Sequence, residues 1–228
     1  MSAGAAIEGV APLVLFDLDG TLVDSAVDLL NAINVLAARI GHAPATLERL
    51  RPVVSKGARA MLAIAFPDYD EVQREGLRQP FLDIYESAIS LHSTPFDGIE
   101  DVLAGIEVAG ARWGIVSNKP HYLCVGVVRA MGWSDRSAVL LGGDSLPRRK
   151  PDPDQLLHAC AACGVPAAQS VYVGDDERDI VAARNAGMKS VAALWGYRLE
   201  HEDPYAWAAN AAVEAPRDLL LPGLLAPG

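Results

Sequence analysis

Four apolar residues, Leu13 to Phe16, run directly into Asp17, and this stretch constrains the fold more than any other in the chain. A continuous apolar run that ends in a carboxylate is typical of a strand buried on both faces, as in a parallel sheet. Such a strand would deliver Asp17 to the C-terminal edge of the sheet, where open α/β folds bind their ligands.

The turn after this strand carries Asp19, Gly20 and Thr21. Glycine and threonine offer backbone and hydroxyl groups that a phosphate or a metal ion can approach closely. Two carboxylates in one small site do not both ionise freely, so Asp17 and Asp19 would divide into a nucleophile and a general acid. The alternative is an acidic turn in which these residues only shape the chain.

The spacing of apolar residues next becomes helical, with a capping-box signal at Ser25 and Asp28. We expect a first group of helices at about 25–40, 46–50, 55–65 and 70–91. Strands are then expected at about 112–116, 138–141, 171–173 and 190–194, with helices at about 99–109, 120–131, 153–163 and 178–186. The sequence therefore predicts a doubly wound α/β core with a parallel sheet, formed by residues 1–22 and 95–228, and a small all-helical insert at 23–94.

Composition limits the class of protein. The net charge of −10 argues against nucleic acid as a partner, and the apolar runs fall short of the roughly 18 residues of a membrane span. Residues 1–12 carry Glu8 and no basic residue, unlike a secretory signal, so we expect a frayed tail and a cytoplasmic protein.

The three cysteines are odd in number, which fits a reducing compartment. Cys160 and Cys163 form a Cys-x-x-Cys pair inside a predicted helix, where buried packing is favoured over redox or metal chemistry.

Polar residues follow three further predicted strands. Residues 117–119, Ser-Asn-Lys, could bind phosphate oxygens, although serine and asparagine are also ordinary helix caps. Arg148, Arg149 and Lys150 form either a solvated basic loop or the site of a lysine that neutralises a phosphoryl group. Residues 175–179 hold four acidic side chains, and oxygen ligands of this kind suit Mg²⁺ better than zinc.

These stretches resemble, in order and spacing, the four motifs of the haloacid dehalogenase superfamily of hydrolases: Asp17-Leu18-Asp19-Gly20-Thr21, Ser117-Asn118-Lys119, Lys150-Pro151, and Gly174-Asp175 through Asp179. The insert is similar to the small helical cap of phosphoglycolate phosphatases. The resemblance implies a Mg²⁺-dependent phosphomonoesterase in which Asp17 becomes an aspartyl phosphate and Asp19 acts as acid and then base. An acid at Asp19 argues for phosphoryl transfer over carbon–halogen chemistry.

The resemblance also implies the remaining binding groups. The phosphate would be held by Thr21, Ser117, Asn118 and Lys150. The metal would be held by Asp17, Asp175 and the backbone carbonyl of Asp19, with Asp179 supporting Lys150 or a water ligand of the metal. Asp176 matches a variable position, so its role stays open.

Two alternatives keep the same residues: a sugar phosphomutase that uses Asp17 in the same way, and a signalling receiver module in which one aspartate holds a phosphoryl group. The expected partner is a small phosphate ester, with no nucleic acid and no membrane, and the oligomeric state is left open.

Arg59 is a candidate for substrate selection. It begins a predicted insert helix after Gly57, and a guanidinium is suited to a carboxylate, although a solvated cation is the alternative. This stretch and residues 112–120 resemble N-acetylmuramic acid 6-phosphate phosphatases, which are relatives of phosphoglycolate phosphatases. Both substrates carry a carboxylate.

Overall fold

The computed structural model describes residues 7–228. Its strands are β1 (Leu13–Phe16), β2 (Val23–Asp24), β3 (Thr94–Pro95), β4 (Arg112–Val116), β5 (Leu140–Leu141), β6 (Ser170–Gly174), β7 (Lys189–Ala193) and β8 (Ala211–Val213). Its α-helices are α1 (Ala26–Arg39), α2 (Leu47–Leu50), α3 (Ala58–Ala65), α4 (Glu71–Ser87), α5 (Ile99–Val108), α6 (His121–Ala130), α7 (Asp154–Cys163) and α8 (Glu177–Asn185). Short 3₁₀ helices cover Arg51–Lys56, Ala167–Gln169, Pro204–Trp207 and Pro216–Leu220.

Six parallel strands form one sheet in the order β5-β4-β1-β6-β7-β8, flanked by helices. This confirms the predicted α/β fold class. All four residues of β1 are fully buried, as their apolar character predicts, and β1 lies between β4 and β6. The chain segments that leave β1, β4 and β6 therefore begin side by side at one edge of the sheet.

Helices α1 to α4 share a hydrophobic cluster that includes Ile33, Leu62 and Phe81. The expectation that residues 23–94 are all helical is wrong at both ends, because β2 and β3 pair as a short antiparallel ribbon. Strands of two residues are too short to show an alternating pattern. The division of the chain into a core and an insert stays a prediction, which the shared cluster supports.

Several boundaries differ from the prediction. Helix α4 ends at Ser87 instead of continuing to 91, since Ser90 has a left-handed φ of 56°. Strand β8 was not predicted, and β5 is shorter than the expected strand at 138–141. Within the described residues, no helix combines the length and apolar character that crossing a membrane requires.

The expected frayed tail at residues 1–12 lies partly outside the described residues. From residue 7 onward the prediction is wrong at two positions, because Ile7 and Ala11 are buried. The Ala11 N–H donates to the Leu225 carbonyl at 2.7 Å, which attaches this segment to the end of the chain.

The predicted capping box at the start of α1 is also replaced by other contacts. Ser25 makes no side-chain cap hydrogen bond. Asp28 instead accepts hydrogen bonds from the backbone N–H groups of His92 and Ser93 and from the Ser93 hydroxyl. Asp28 therefore fastens α1 to the segment that enters β3.

We expect Asp28→Asn to lower the free energy of unfolding by roughly 1–2 kcal/mol, since it weakens hydrogen bonds to a charged acceptor. Burial opposes the shift, but hydrogen bonds from Ser93 and His92 hold the pKa of Asp28 below its ordinary 3.8. The stabilisation is therefore full above pH 3.8 and declines as the pH falls through the lowered pKa. Urea unfolding from pH 7 to pH 3 measures it, with Asp83→Asn on the exposed face of α4 as the control. An equal loss at every pH would contradict this charge effect.

Candidate active site

Three buried carboxylates meet at the C-terminal edge of the sheet. Asp17 follows β1 and Asp175 follows β6, and these strands pair so that Phe16 lies opposite Val173. Asp179 comes from the first turn of α8. One oxygen of each carboxylate lies within 4.8 Å of the others. Strand pairing thus brings together groups that are far apart in the sequence.

The environment of Asp175 suits a cation. Its burial and the charges of Asp17 and Asp179 raise the pKa of Asp175 well above its ordinary value. Its oxygens accept hydrogen bonds from the Ser55 hydroxyl at 2.7 Å, the Tyr197 N–H at 2.9 Å and the Thr21 hydroxyl at 3.0 Å. An oxygen-only donor set with excess negative charge fits a hard divalent ion such as Mg²⁺.

Two glycines leave room for this carboxylate. A Cβ at Gly20, whose φ is +87°, would lie 2.1 Å from Asp175 Oδ2, and a Cβ at Gly196 would lie 2.2 Å from Asp175 Cβ. Any side chain at either position would displace Asp175. The sequence predicted that a phosphate or a metal ion would approach Gly20 closely. In the structure the group that lies against Gly20 is the Asp175 carboxylate.

The structure places the predicted metal ligands as follows. The Asp19 carbonyl oxygen lies 3.3 Å from the Ser55 hydroxyl oxygen, and that hydroxyl donates to Asp175 at 2.7 Å. The carbonyl thus lies beside the carboxylate cluster, whereas the Asp19 side chain is in contact with Lys119. Asp179 joins Asp17 and Asp175 in the cluster, although the sequence assigned it a supporting role. The ligand set stays a prediction.

Lys150 is buried between two of the carboxylates. Its ammonium lies 2.7 Å from Asp179 and 3.1 Å from Asp17, and it donates to the Tyr172 hydroxyl at 2.7 Å. Burial by itself lowers the pKa of Lys150, but Asp17 and Asp179 raise it by more, so the ammonium stays charged. Burial raises the pKa of Asp179 to about 6 against the effect of Lys150. Lys150 is thus positioned to hold the Asp17 carboxylate.

The predicted phosphate-binding residues occupy different places. Ser117 and Asn118 line a cavity next to Asp17. The Asn118 side-chain NH₂ donates to the Lys150 carbonyl at 2.9 Å, while its buried Oδ1 has no hydrogen-bond partner among residues 7–228. Thr21 does not line the cavity and contacts Asp175 instead. Their roles in phosphate binding stay predictions.

Lys119 has a partner that the sequence did not indicate. Its ammonium lies 2.9 and 3.2 Å from the two oxygens of Asp19, and 3.1 Å from the Tyr85 hydroxyl of α4. Asp19 also accepts a hydrogen bond from the Ser25 hydroxyl at 2.6 Å. The sequence showed only a lysine in the turn after a predicted strand. It did not indicate the partner, because Asp19 lies 100 positions earlier in the chain.

Asp176 has a structural part in the site. It accepts a hydrogen bond at the start of α8 from the Arg178 N–H, and it forms an ion pair with Lys56 at 2.8 Å. Burial by itself raises the pKa of Asp176, but Arg178 and Lys56 outweigh this effect and lower the pKa to about 2. Lys56 also pairs with Glu202. These ion pairs attach the end of the 3₁₀ helix Arg51–Lys56 to the edge of the sheet.

A cavity of about 550 Å³ opens above Asp17 and Asp19, between helices α1, α3 and α4 and the sheet edge. Arg59 lines it, as expected of a substrate-binding residue, but is largely exposed and forms two hydrogen bonds to Glu75, at 2.8 and 3.2 Å. Arg78 contacts the same glutamate. Arg149 also lines the cavity and forms no ion pair among residues 7–228.

Comparison with known proteins agrees with this geometry. Residues 14–193 match the family model of the haloacid dehalogenase-like hydrolases. The chain therefore belongs to this family, which confirms the predicted resemblance. It is an enzyme of the phosphatase type within the family, as its relatives show.

The chain is 54% identical to a phosphoglycolate phosphatase of Xanthomonas campestris over 92% of its length and 95% of the relative. It is 43% identical to the N-acetylmuramic acid 6-phosphate phosphatase of Pseudomonas aeruginosa, covering 91% and 92% of the two chains. A crystal structure of a predicted phosphoglycolate phosphatase from Haemophilus somnus is similar with a TM-score of 0.82 and 26% identity, covering 92% and 96%.

We expect Gly20→Ala to abolish binding of a divalent ion, because the added Cβ collides with Asp175. Gly41→Ala is a matched control, since Gly41 also has a positive φ but nothing lies within 4 Å of its Cβ position. Both variants should lose roughly 1 kcal/mol of stability from backbone strain, and Gly20→Ala should lose more because its Cβ also overlaps Asp175. Only Gly20→Ala should also lose the rise in melting temperature that Mg²⁺ causes. An equal Mg²⁺ effect in both variants would contradict the assignment of Asp175 to the site.

Proposed function

We propose that the protein is a Mg²⁺-dependent phosphomonoesterase that forms an aspartyl phosphate on Asp17. The observation that carries the proposal is the position of Asp17 at the floor of the cavity, 3.1 Å from a buried lysine and within a cluster of carboxylates. A carboxylate in such a place is held for in-line attack on an anionic phosphoryl group.

Hydrolysis then proceeds in two displacements. In the first, an Asp17 oxygen attacks phosphorus, the bond to the ester oxygen breaks, and Asp19 gives that oxygen a proton. In the second, Asp19 takes a proton from water as the water oxygen attacks phosphorus, which releases Asp17 and inorganic phosphate. Lys150 holds Asp17 through both steps, while Ser117 is placed at the cavity wall to bind phosphoryl oxygens.

The metal belongs to the same site. Asp17 and Asp175 would hold Mg²⁺ with the Asp19 carbonyl, and Asp179 adjoins them. When bound, Mg²⁺ neutralises negative charge on the phosphoryl group. The excess of carboxylates over lysine at this site supports this assignment, because several buried like charges need a cation beside them.

A phosphomutase would use the same first step and return the phosphoryl group to the sugar. The proposal of hydrolysis rests on the relatives, which are phosphatases. A receiver module has no need of a large cavity, and the volume of about 550 Å³ above Asp17 argues against it.

The cavity also bears on the substrate. It is larger than the two-carbon 2-phosphoglycolate requires, and Val54, Met61, Phe81 and Leu82 form an apolar part of its wall. These features favour a sugar-sized ester such as N-acetylmuramic acid 6-phosphate, which carries an acetyl group and a lactyl group that ends in a carboxylate. The expected partner remains a small phosphate ester, and its carboxylate would contact a guanidinium at the cavity wall.

We expect Asp17→Asn to lose nearly all turnover of every phosphate monoester, because an amide cannot form the acyl phosphate. EDTA should stop the wild-type enzyme and added Mg²⁺ should restore it. Phosphate release gives the rate, and mass spectrometry of acid-quenched enzyme detects the phosphorylated Asp17 peptide.

Asp83→Asn controls for loss of one carboxylate charge, since Asp83 is exposed on α4 and does not itself line the cavity. Wild-type turnover in Asp17→Asn, or in metal-free enzyme, would refute the proposal. Transfer of phosphate to a second sugar hydroxyl without phosphate release would establish the mutase.

The guanidinium that binds the substrate carboxylate can be found with Arg59→Ala and Arg149→Ala. We expect Arg59→Ala to lower kcat/KM about tenfold for N-acetylmuramic acid 6-phosphate and to leave p-nitrophenyl phosphate almost unchanged, since only the former has a carboxylate. Arg39→Ala, an exposed arginine outside the cavity, is the control. A selective loss in Arg149→Ala alone would transfer the role to Arg149 and leave Arg59 paired with Glu75.

A further inference from the structure

The side chain of Asp19 is held by groups from two parts of the chain. Lys119, in the turn between β4 and α6, contacts both carboxylate oxygens. Ser25, directly before α1, donates to one of the same oxygens. The side chains of Lys119 and Asp19 are only 7% and 14% exposed, so water contributes little to orienting either group.

Tyr85 also contacts Lys119. This residue lies on α4 and is buried, its hydroxyl oxygen is 3.1 Å from the Lys119 ammonium, and the ammonium lies 4.4 Å from the centre of the tyrosine ring. Both contacts attract a cation. Burial raises the pKa of Tyr85 to about 12, so the hydroxyl is neutral at neutral pH.

An ammonium has three N–H donors. In Lys119 the acceptors within reach are the two oxygens of Asp19 and the hydroxyl of Tyr85, and these occupy all three. No donor is left for a phosphoryl oxygen. In the same turn, the Asn118 side chain donates to the Lys150 carbonyl, and Ser117 lines the cavity.

We propose that Lys119, held by Tyr85, is a positioning residue for Asp19, so that the acid is correctly placed only while α4 packs against the turn after β4. The inference rests on the proposed function, in which Asp19 protonates the leaving oxygen. Its consequence is that a hydroxyl on α4, acting through Lys119, controls a proton transfer at the sheet edge.

Leaving-group dependence separates this role from general damage. A good leaving group departs without protonation, whereas a poor one needs a correctly placed acid. Tyr85→Phe keeps the ring and removes only the hydroxyl. We expect it to lower kcat/KM about tenfold for phenyl phosphate and less than twofold for 2,4-dinitrophenyl phosphate. The melting temperature should fall by a few degrees because one Lys119 donor loses its partner, so both rates are measured well below it. Tyr205→Phe, whose hydroxyl contacts exposed Glu214, is the matched control.

A double-mutant cycle tests whether Tyr85 acts through Asp19. Adding Tyr85→Phe to Asp19→Asn should cause no further loss on phenyl phosphate. Lys119→Met should resemble Asp19→Asn, and Lys119→Arg should recover part of the activity because it keeps the charge. Lys189→Met, remote from the cavity, controls for loss of a lysine.

Three results would overturn the proposal: a Tyr85→Phe loss that is equal on both esters, full additivity with Asp19→Asn, or no loss at all. A loss in Asp19→Asn that does not depend on the leaving group would refute the acid assignment as well. If Asp19→Asn shows the dependence and Tyr85→Phe does not, only the positioning role fails.

Discussion

The contact between Lys150 and the carboxylates Asp17 and Asp179 is the interaction on which the site depends. Removing an ion from water costs several kcal/mol unless a partner is held at close range, so this ammonium and its acids must be buried together. Asp175 adds a third carboxylate to a site with one such lysine. The resulting excess of negative charge repels a phosphate ester unless a cation is present, which links the fold of this edge to metal binding.

Much of this edge could be predicted from the sequence, because each functional group follows a buried strand. The apolar run before Asp17 indicates a parallel strand, and parallel strands end on the same side of a sheet. Asp17, Ser117 and Asp175 therefore come together whatever the length of chain between them. The periodicity of apolar residues also located the helices, since most of them present one apolar face to a hydrophobic cluster.

The pairing of long polar side chains could not be predicted in the same way. Lysine and arginine reach several ångströms from their backbone, and the choice of partner depends on packing across the chain. Lys119 contacts Asp19, Lys56 contacts Asp176, and Arg59 contacts Glu75. Short elements such as β2 and β8 were missed for another reason: two or three residues carry no periodic signal.

The ribbon formed by β2 and β3 has a consequence for the segment of chain between the two strands. Val23 lies opposite Pro95, so the path out of the sheet region and the path back are one strand spacing apart. The length of chain between these two points therefore does not set the distance between its ends, and a longer or shorter segment would leave and re-enter the sheet region at the same place. Ser55, Lys56 and Tyr85 lie on this segment and contact the sheet edge, so a changed segment would retain the chemistry of the edge only if it supplied equivalent contacts.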